Sequence, residues 1–237
     1  MADTNAFRIT LDVARSDARR PSRFDVPVPG STSRVLDALL YVREHLDPSL
    51  GFRYSCRAGM CGACAVVVNG KEMLSCQTAI GSLGTTTIHV APLRALPVMR
   101  DLMYDMTPFF DAWKRADGAL RPREPDLVTP RVMPPGDPDR ASIERQNGCI
   151  TCAACYSACV VEPARPGYLG PAAVNRAFML SLEERDALGP ERRAGIAGEA
   201  RALVGEGLAR ADAVCPVGIP LRDGIAKLGD VLANESP

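Results

Sequence analysis

At 237 residues the chain is long enough for two modest domains, each with a buried core. Its 28 Lys+Arg balance its 28 Asp+Glu, so it has no net field to draw it to nucleic acid or an anionic membrane surface. The N-terminal stretch MADTNAFRITLDVARSDARR has no apolar h-region, and the longest aliphatic run, Ala65 to Val68, is far short of the roughly 20 apolar residues of a bilayer span.

These features predict a soluble cytoplasmic protein that makes at most peripheral contact with the cytoplasmic face of an inner membrane. Nine cysteines in such a chain predict metal or cluster ligands, because the cytosol keeps thiols reduced and these cysteines cluster at ligand spacings.

In chain order, FRITLDVAR (7–15) and SRFDVPVPG (22–30) read as the two strands of a hairpin, with Phe7, Ile9, Leu11 and Val13 on one face. STSRVLDALLYVREHLDP reads as a helix capped by Thr32 or Ser33. Its stripe is Val35, Leu39, Val42 and Leu46, and it stops before Pro48. CAVVVNGKEMLSC is strand, Asn-Gly turn, strand, and TTTIHVAPL (85–93) supplies a last strand. A small mixed sheet crossed by one helix is the β-grasp arrangement of plant-type ferredoxins.

Within it, Cys56, Cys61, Cys64 and Cys76 form C-x4-C-x2-C-x11-C, and the first three match the plant-type 2Fe–2S loop. Gly59 and Gly62 suit a chain that wraps a cluster and aims backbone N–H groups at its sulfurs. A zinc knuckle built from two C-x2-C pairs is the competing reading, and the C-x4-C-x2-C crowding counts against it.

MRDLMYDMTPFFDAWKRA (99–116) reads as one helix with Leu102, Met106, Phe109 and Trp113 on a packing face. The six prolines of 121–140 predict an extended segment laid on a domain surface. Pro171 opens a helix in GPAAVNRAFML, SLEE (181–184) reads as the capping box of another, and Pro220 opens a last one with Leu221, Ile225, Leu228 and Leu232 on one face.

The C-terminal half is therefore all-α. Cys149, Cys152, Cys155 and Cys159 run C-x2-C-x2-C-x3-C. The first three supply ligands of a 4Fe–4S cluster, and the fourth ligand comes from a distant Cys-Pro, here Cys215-Pro216. A further cluster on Cys159 would need partners shortly before Cys215. ARALVGEGLARADAV (200–214) holds no cysteine or histidine.

Taken together, STSRVLDALLYV, SCRAGMCGACAVVVNGKEMLSCQT, PLRALPVMRDLMYDM, CITCAACYSAC, YLGPAA and CPVGI resemble the iron–sulfur subunit of the succinate dehydrogenase/fumarate reductase family, over nearly the whole chain. The resemblance implies an α+β chain: an N-terminal β-grasp 2Fe–2S ferredoxin domain (1–106) followed by an all-α ferredoxin-like 4Fe–4S domain (107–237). It implies an electron-transfer role beside an FAD-containing flavoprotein that carries the substrate site, with a membrane-anchor or other acceptor subunit beyond.

The family's ligand sets fall on Cys56, Cys61, Cys64 and Cys76 for 2Fe–2S, and on Cys149, Cys152, Cys155 and Cys215 for 4Fe–4S. The family's 3Fe–4S cluster uses the Cys159 position and two more cysteines, whose places hold Gly205 and Ala211 here. The tryptophan and histidine of the family's quinone pocket are absent from VVEPARPGY and Gly-Glu-Gly, while His45, His89 and Trp113 lie elsewhere. Cys159 is then expected to pack as a small apolar side chain.

Three rival readings are a free-standing ferredoxin-like carrier, the small subunit of a molybdenum hydroxylase and an iron–sulfur regulator. The cysteine pattern of the second half counts against the hydroxylase, and the lack of a basic recognition helix against the regulator.

Overall fold

The computed structural model describes residues 7–16, 21–123, 134, 136–159 and 167–234. Val160, Val161 and most of the proline-rich segment lie outside the described residues. The chain divides into two compact units, one of 1–106 with 150–157 and one of 107–149 with 158–237.

In the first unit, β1 (Phe7–Val13) and β2 (Ser22–Val28) pair antiparallel, and β1 also pairs in parallel with β5 (Thr87–Ala91). β3 (Ala65–Val68) joins β5 to β4 (Lys71–Leu74), giving a five-stranded mixed sheet of order β2-β1-β5-β3-β4. The β3–β4 turn places Asn69 and Gly70 at φ 47° and 84°, the left-handed geometry that an Asn-Gly hairpin turn requires. Ile9, Leu11 and Val13 are buried and Phe7 at the strand end is exposed, so the alternation holds from its second member onward.

α1 (Val35–Tyr41) crosses this sheet with Val35, Leu36, Ala38 and Leu39 buried. Its cap is Arg34, not Thr32 or Ser33: the Arg34 backbone N–H donates to Asp37 Oδ2 at 2.8 Å. A widened turn over Val42–Leu46 then rotates the stripe, which leaves Leu46 45% exposed at its expected inward position.

The expected helix over 99–116 exists only from Thr107. Val98–Arg100 (β6) and Met103–Tyr104 (β7) form a small hairpin, and α2 spans Thr107–Arg115. The turn is held by Asp101, which sits at φ 49° and is almost fully buried. Its carboxylate accepts from the backbone N–H of Gly51 at 2.8 Å and of Ser16 at 3.2 Å, and from Arg15 Nε at 3.1 Å. Burial pushes the Asp101 carboxyl up, but these donors outweigh it and hold the group below the usual carboxylate range.

The second unit is helical. It holds α2, α3 (Pro138–Ile143), α5 (Gly170–Ser181), α6 (Gly189–Ala202), α7 (Gly205–Ala213) and α8 (Leu221–Asn234), while α4 (Ala154–Cys159) begins in the first unit. α5 is its centre, packed against α2, α6 and α8 with Val174, Ala177 and Phe178 buried. Pro171 opens α5 as expected, and Pro220 immediately precedes α8.

SLEE does not open a helix. Ser181 Oγ donates back to the Phe178 carbonyl at 2.7 Å and closes α5, while Pro190 sits in the first turn of α6. The intervening turn is tied by Asp186 and Arg192, both fully buried and 2.7 Å apart.

Candidate functional site

Residues 51–64 form no regular element, and the segment from Arg57 to Gly62 winds tightly. Arg57, Gly59 and Gly62 all take positive φ, at 58°, 75° and 69°. This winding turns backbone donors inward: the N–H groups of Ala58 and Met60 each lie 3.4 Å from Cys56 Sγ. With a bond from Cys61, they pull the Cys56 thiol down to about 7. Gln77 Nε2 reaches Cys76 Sγ at 3.6 Å.

The four thiols fall into two hydrogen-bonded pairs. Cys56 and Cys61 are exposed, whereas Cys64 and Cys76 are buried, and burial pushes the Cys64 thiol up to about 11. Two pairs of thiols, each able to clasp one iron, fit a 2Fe–2S group. All nine cysteines are present as thiols.

The second ligand run begins after Gln146–Gly148, a short tight turn that ends at Cys149. Thr151 and Ala153 hold φ of 53° and 61°, which bends the chain around Cys152 before α4 carries Cys155. Within the first unit, segment 150–157 meets the first loop. A Cβ on Gly62 would stand 2.7 Å from Cys152 Cα and 3.0 Å from the Ile150 carbonyl oxygen. Tyr104 is buried there, donating its hydroxyl to the Ala65 carbonyl at 2.9 Å. Burial pushes its pKa up, and the Cys152 and Cys64 thiols both add to the rise.

Within the second unit, the N–H of Ile219 donates to Cys215 Sγ at 3.3 Å across a turn with Gly218 at φ 67°. Arg176 of α5 is half-buried and feels the Cys149 thiol. Burial lowers its pKa, and the Cys149 thiol pushes the other way. Sequence reasoning missed Arg176, Tyr104, Glu72 and Ser157. A charged residue inside the apolar stretch around α5, and a glutamate in a hairpin strand, were the available signals.

Cys159 is half-buried at the end of α4. The first turn of α7 lies directly on it: a Cβ on Gly207 would stand 2.6 Å from the Cys159 carbonyl oxygen and 3.5 Å from its sulfur. Arg210 Nε donates to the Ala158 carbonyl at 3.1 Å, and Ala211 is fully buried. His45 stacks on Tyr41 with ring centroids 4.5 Å apart, and His89 lies 3.2 Å from Asp12.

Residues 6–111 match the family described as a 2Fe-2S iron-sulfur cluster binding domain. A fumarate reductase iron–sulfur subunit from Mycobacterium tuberculosis is 33% identical over 223 residues, covering 90% of this chain and 87% of that one. A mitochondrial succinate dehydrogenase iron–sulfur subunit from Oryza sativa is likewise 33% identical, covering 92% and 78%. This chain belongs to the iron–sulfur subunits of the succinate dehydrogenase/fumarate reductase family.

A chain of the Mycobacterium smegmatis Sdh1 complex in the apo form superposes with a TM-score of 0.80 at 25% identity, over 98% of both chains. The chain is thus an electron-transfer subunit of α+β fold whose first unit is a 2Fe–2S domain. Among the described residues no helix is long and apolar enough to cross a membrane.

Proposed function

We propose that this iron–sulfur subunit relays electrons between the flavin of an FAD-bearing partner and an acceptor through two clusters only. Cys56, Cys61, Cys64 and Cys76 hold 2Fe–2S, and Cys149, Cys152, Cys155 and Cys215 hold 4Fe–4S. When bound, the clusters supply one-electron redox chemistry; the protein supplies spacing, burial and hydrogen bonds to sulfur.

The observation that carries the relay is the contact of Gly62 with Cys152. It joins a residue between two ligands of the first set to a ligand of the second. Tunnelling falls steeply with distance, and a side chain at Gly62 would force the two loops apart.

The exposed pair Cys56 and Cys61 marks the edge for the flavoprotein, with Met60 offering an apolar contact at 72% exposure. At the exit, the packing of Gly207 on Cys159 supports the absence of a 3Fe–4S group, since α7 occupies the space beside that thiol. Electrons then leave from the second cluster to a different acceptor, such as a membrane-anchor subunit on the cytoplasmic face or a soluble carrier.

Anaerobic purification with its flavoprotein, followed by iron and acid-labile sulfide analysis, tests this. About six irons per chain are expected from one 2Fe–2S and one 4Fe–4S group. About nine would show that a third cluster survives.

A further inference from the structure

Glu72 occupies a place in β4 where an apolar residue belongs. Along Lys71–Leu74 the burial alternates, and Glu72 shares the buried face with Leu74, opposite Val67 in the hairpin register. It is 4% exposed. A carboxylate there is costly unless it is partnered.

Its partner is 85 residues away: Ser157 Oγ, on a fully buried residue of α4, donates to Glu72 Oε1 at 2.9 Å. The same Ser157 oxygen accepts the backbone N–H of Arg94 at 2.9 Å. The Arg94 guanidinium turns back over the hairpin, bonding the Gly70 carbonyl and lying 3.9 Å from Glu72 Oε1.

One hydroxyl therefore closes three segments: the β3–β4 hairpin, the turn after β5 and α4. A serine hydroxyl has one proton to give, and here it goes to the carboxylate, so the direction of the network is determined. Ser157 lies two residues after Cys155, in the segment that also presses Cys152 onto Gly62.

We propose that Glu72, Ser157 and Arg94 form a clamp that positions the Cys152–Cys155 segment on the 2Fe–2S unit, setting the separation of the two clusters and placing a buried negative charge beside the second. This rests on the assignment of Cys152 and Cys155 as 4Fe–4S ligands. Ser157 and Glu72 touch no cluster in this account; they are positioning residues. The charge disfavours adding an electron nearby, so it lowers the midpoint potential of the second cluster.

The test uses the purified flavoprotein–iron–sulfur complex, with paramagnetic resonance of the dithionite-reduced protein and a redox titration. In Ser157→Ala the magnetic coupling between the two reduced clusters falls at least twofold while the uncoupled 2Fe–2S signal persists. Ser157→Thr, which keeps the hydroxyl, restores it. Glu72→Gln keeps an oxygen acceptor and removes the charge. Its coupling stays, and at a fixed poise the reduced-to-oxidised ratio of the second cluster rises at least threefold.

Wild-type coupling in Ser157→Ala overturns the clamp, and an unchanged ratio in Glu72→Gln overturns the charge effect. Should wild type carry only about two irons per chain, the 4Fe–4S assignment fails and the clamp fails with it. About six irons with unaltered variant spectra sinks the clamp alone.

Discussion

Gly62 faces Cys152 so closely that a Cβ on Gly62 would stand 2.7 Å from both the Cα and Cβ of Cys152. No side chain fits at that distance, and the φ of 69° disfavours one in any case. Gly70 is the natural control, because its φ is 84° but nothing lies within 4 Å of an added Cβ.

Gly70→Ala is therefore expected to cost about 1 kcal/mol of stability, the left-handed strain alone, with full iron content. Gly62→Ala adds a clash with the Cys152 backbone and is expected to lower iron content and slow electron passage between the clusters. Chemical denaturation, iron analysis and rapid-freeze resonance spectra of both variants check the contrast.

Cys215→Ser and Cys159→Ser should part company. Cys215 Sγ accepts the Ile219 N–H at 3.3 Å and is the proposed fourth ligand, while Cys159 is covered by Gly207. Loss of Cys215 is expected to leave about two irons per chain, those of the first cluster. Loss of Cys159 is expected to leave both clusters intact. Disappearance of the 4Fe–4S signal in Cys159→Ser would make Cys159 a ligand and reverse the pairing.

Packing at Gly207 gives a third expectation. A valine there meets the Cys159 carbonyl at well under van der Waals contact. Overpacking of this kind costs about 1–3 kcal/mol, so Gly207→Val should lower the thermal midpoint of the second unit. The 2Fe–2S spectrum, from the first unit, should not change.

Asp101 supplies the pH dependence. Its folded pKa lies below the ordinary carboxylate value of about 3.9, so its contribution is complete above that value and is lost as pH falls through the folded pKa. Asp101→Asn tolerates the left-handed backbone but removes the charge that Arg15 and two backbone N–H groups bind. The variant should be about 2 kcal/mol less stable near neutral pH, with the gap closing only below about pH 4. Urea unfolding of wild type and variant between neutral and acid pH measures it; a gap that is independent of pH would contradict the charge argument.

Local chemistry made much of this protein legible from its residues. Asn69-Gly70 can hardly do other than turn a hairpin, because both residues tolerate positive φ. The spacing of Cys56, Cys61 and Cys64 is a short-range constraint, as is the proline in the first turn of α5. The resemblance to the succinate dehydrogenase/fumarate reductase family was carried by such local runs, and the similarity to curated relatives bears it out.

Tertiary structure decided the rest. Leu102, Met106, Phe109 and Trp113 keep helical spacing, yet residues 98–104 form a hairpin because Gly51, Ser16 and Arg15, far away in sequence, satisfy Asp101 in a left-handed turn. SLEE has the letters of a capping box, but Ser181 spends its hydroxyl on closing the helix before it. The Glu72–Ser157 bond spans 85 residues, and neither residue announces the other in sequence. Hydrogen-bond capacity is local, but the choice among partners is made only when the chain has closed its long-range contacts.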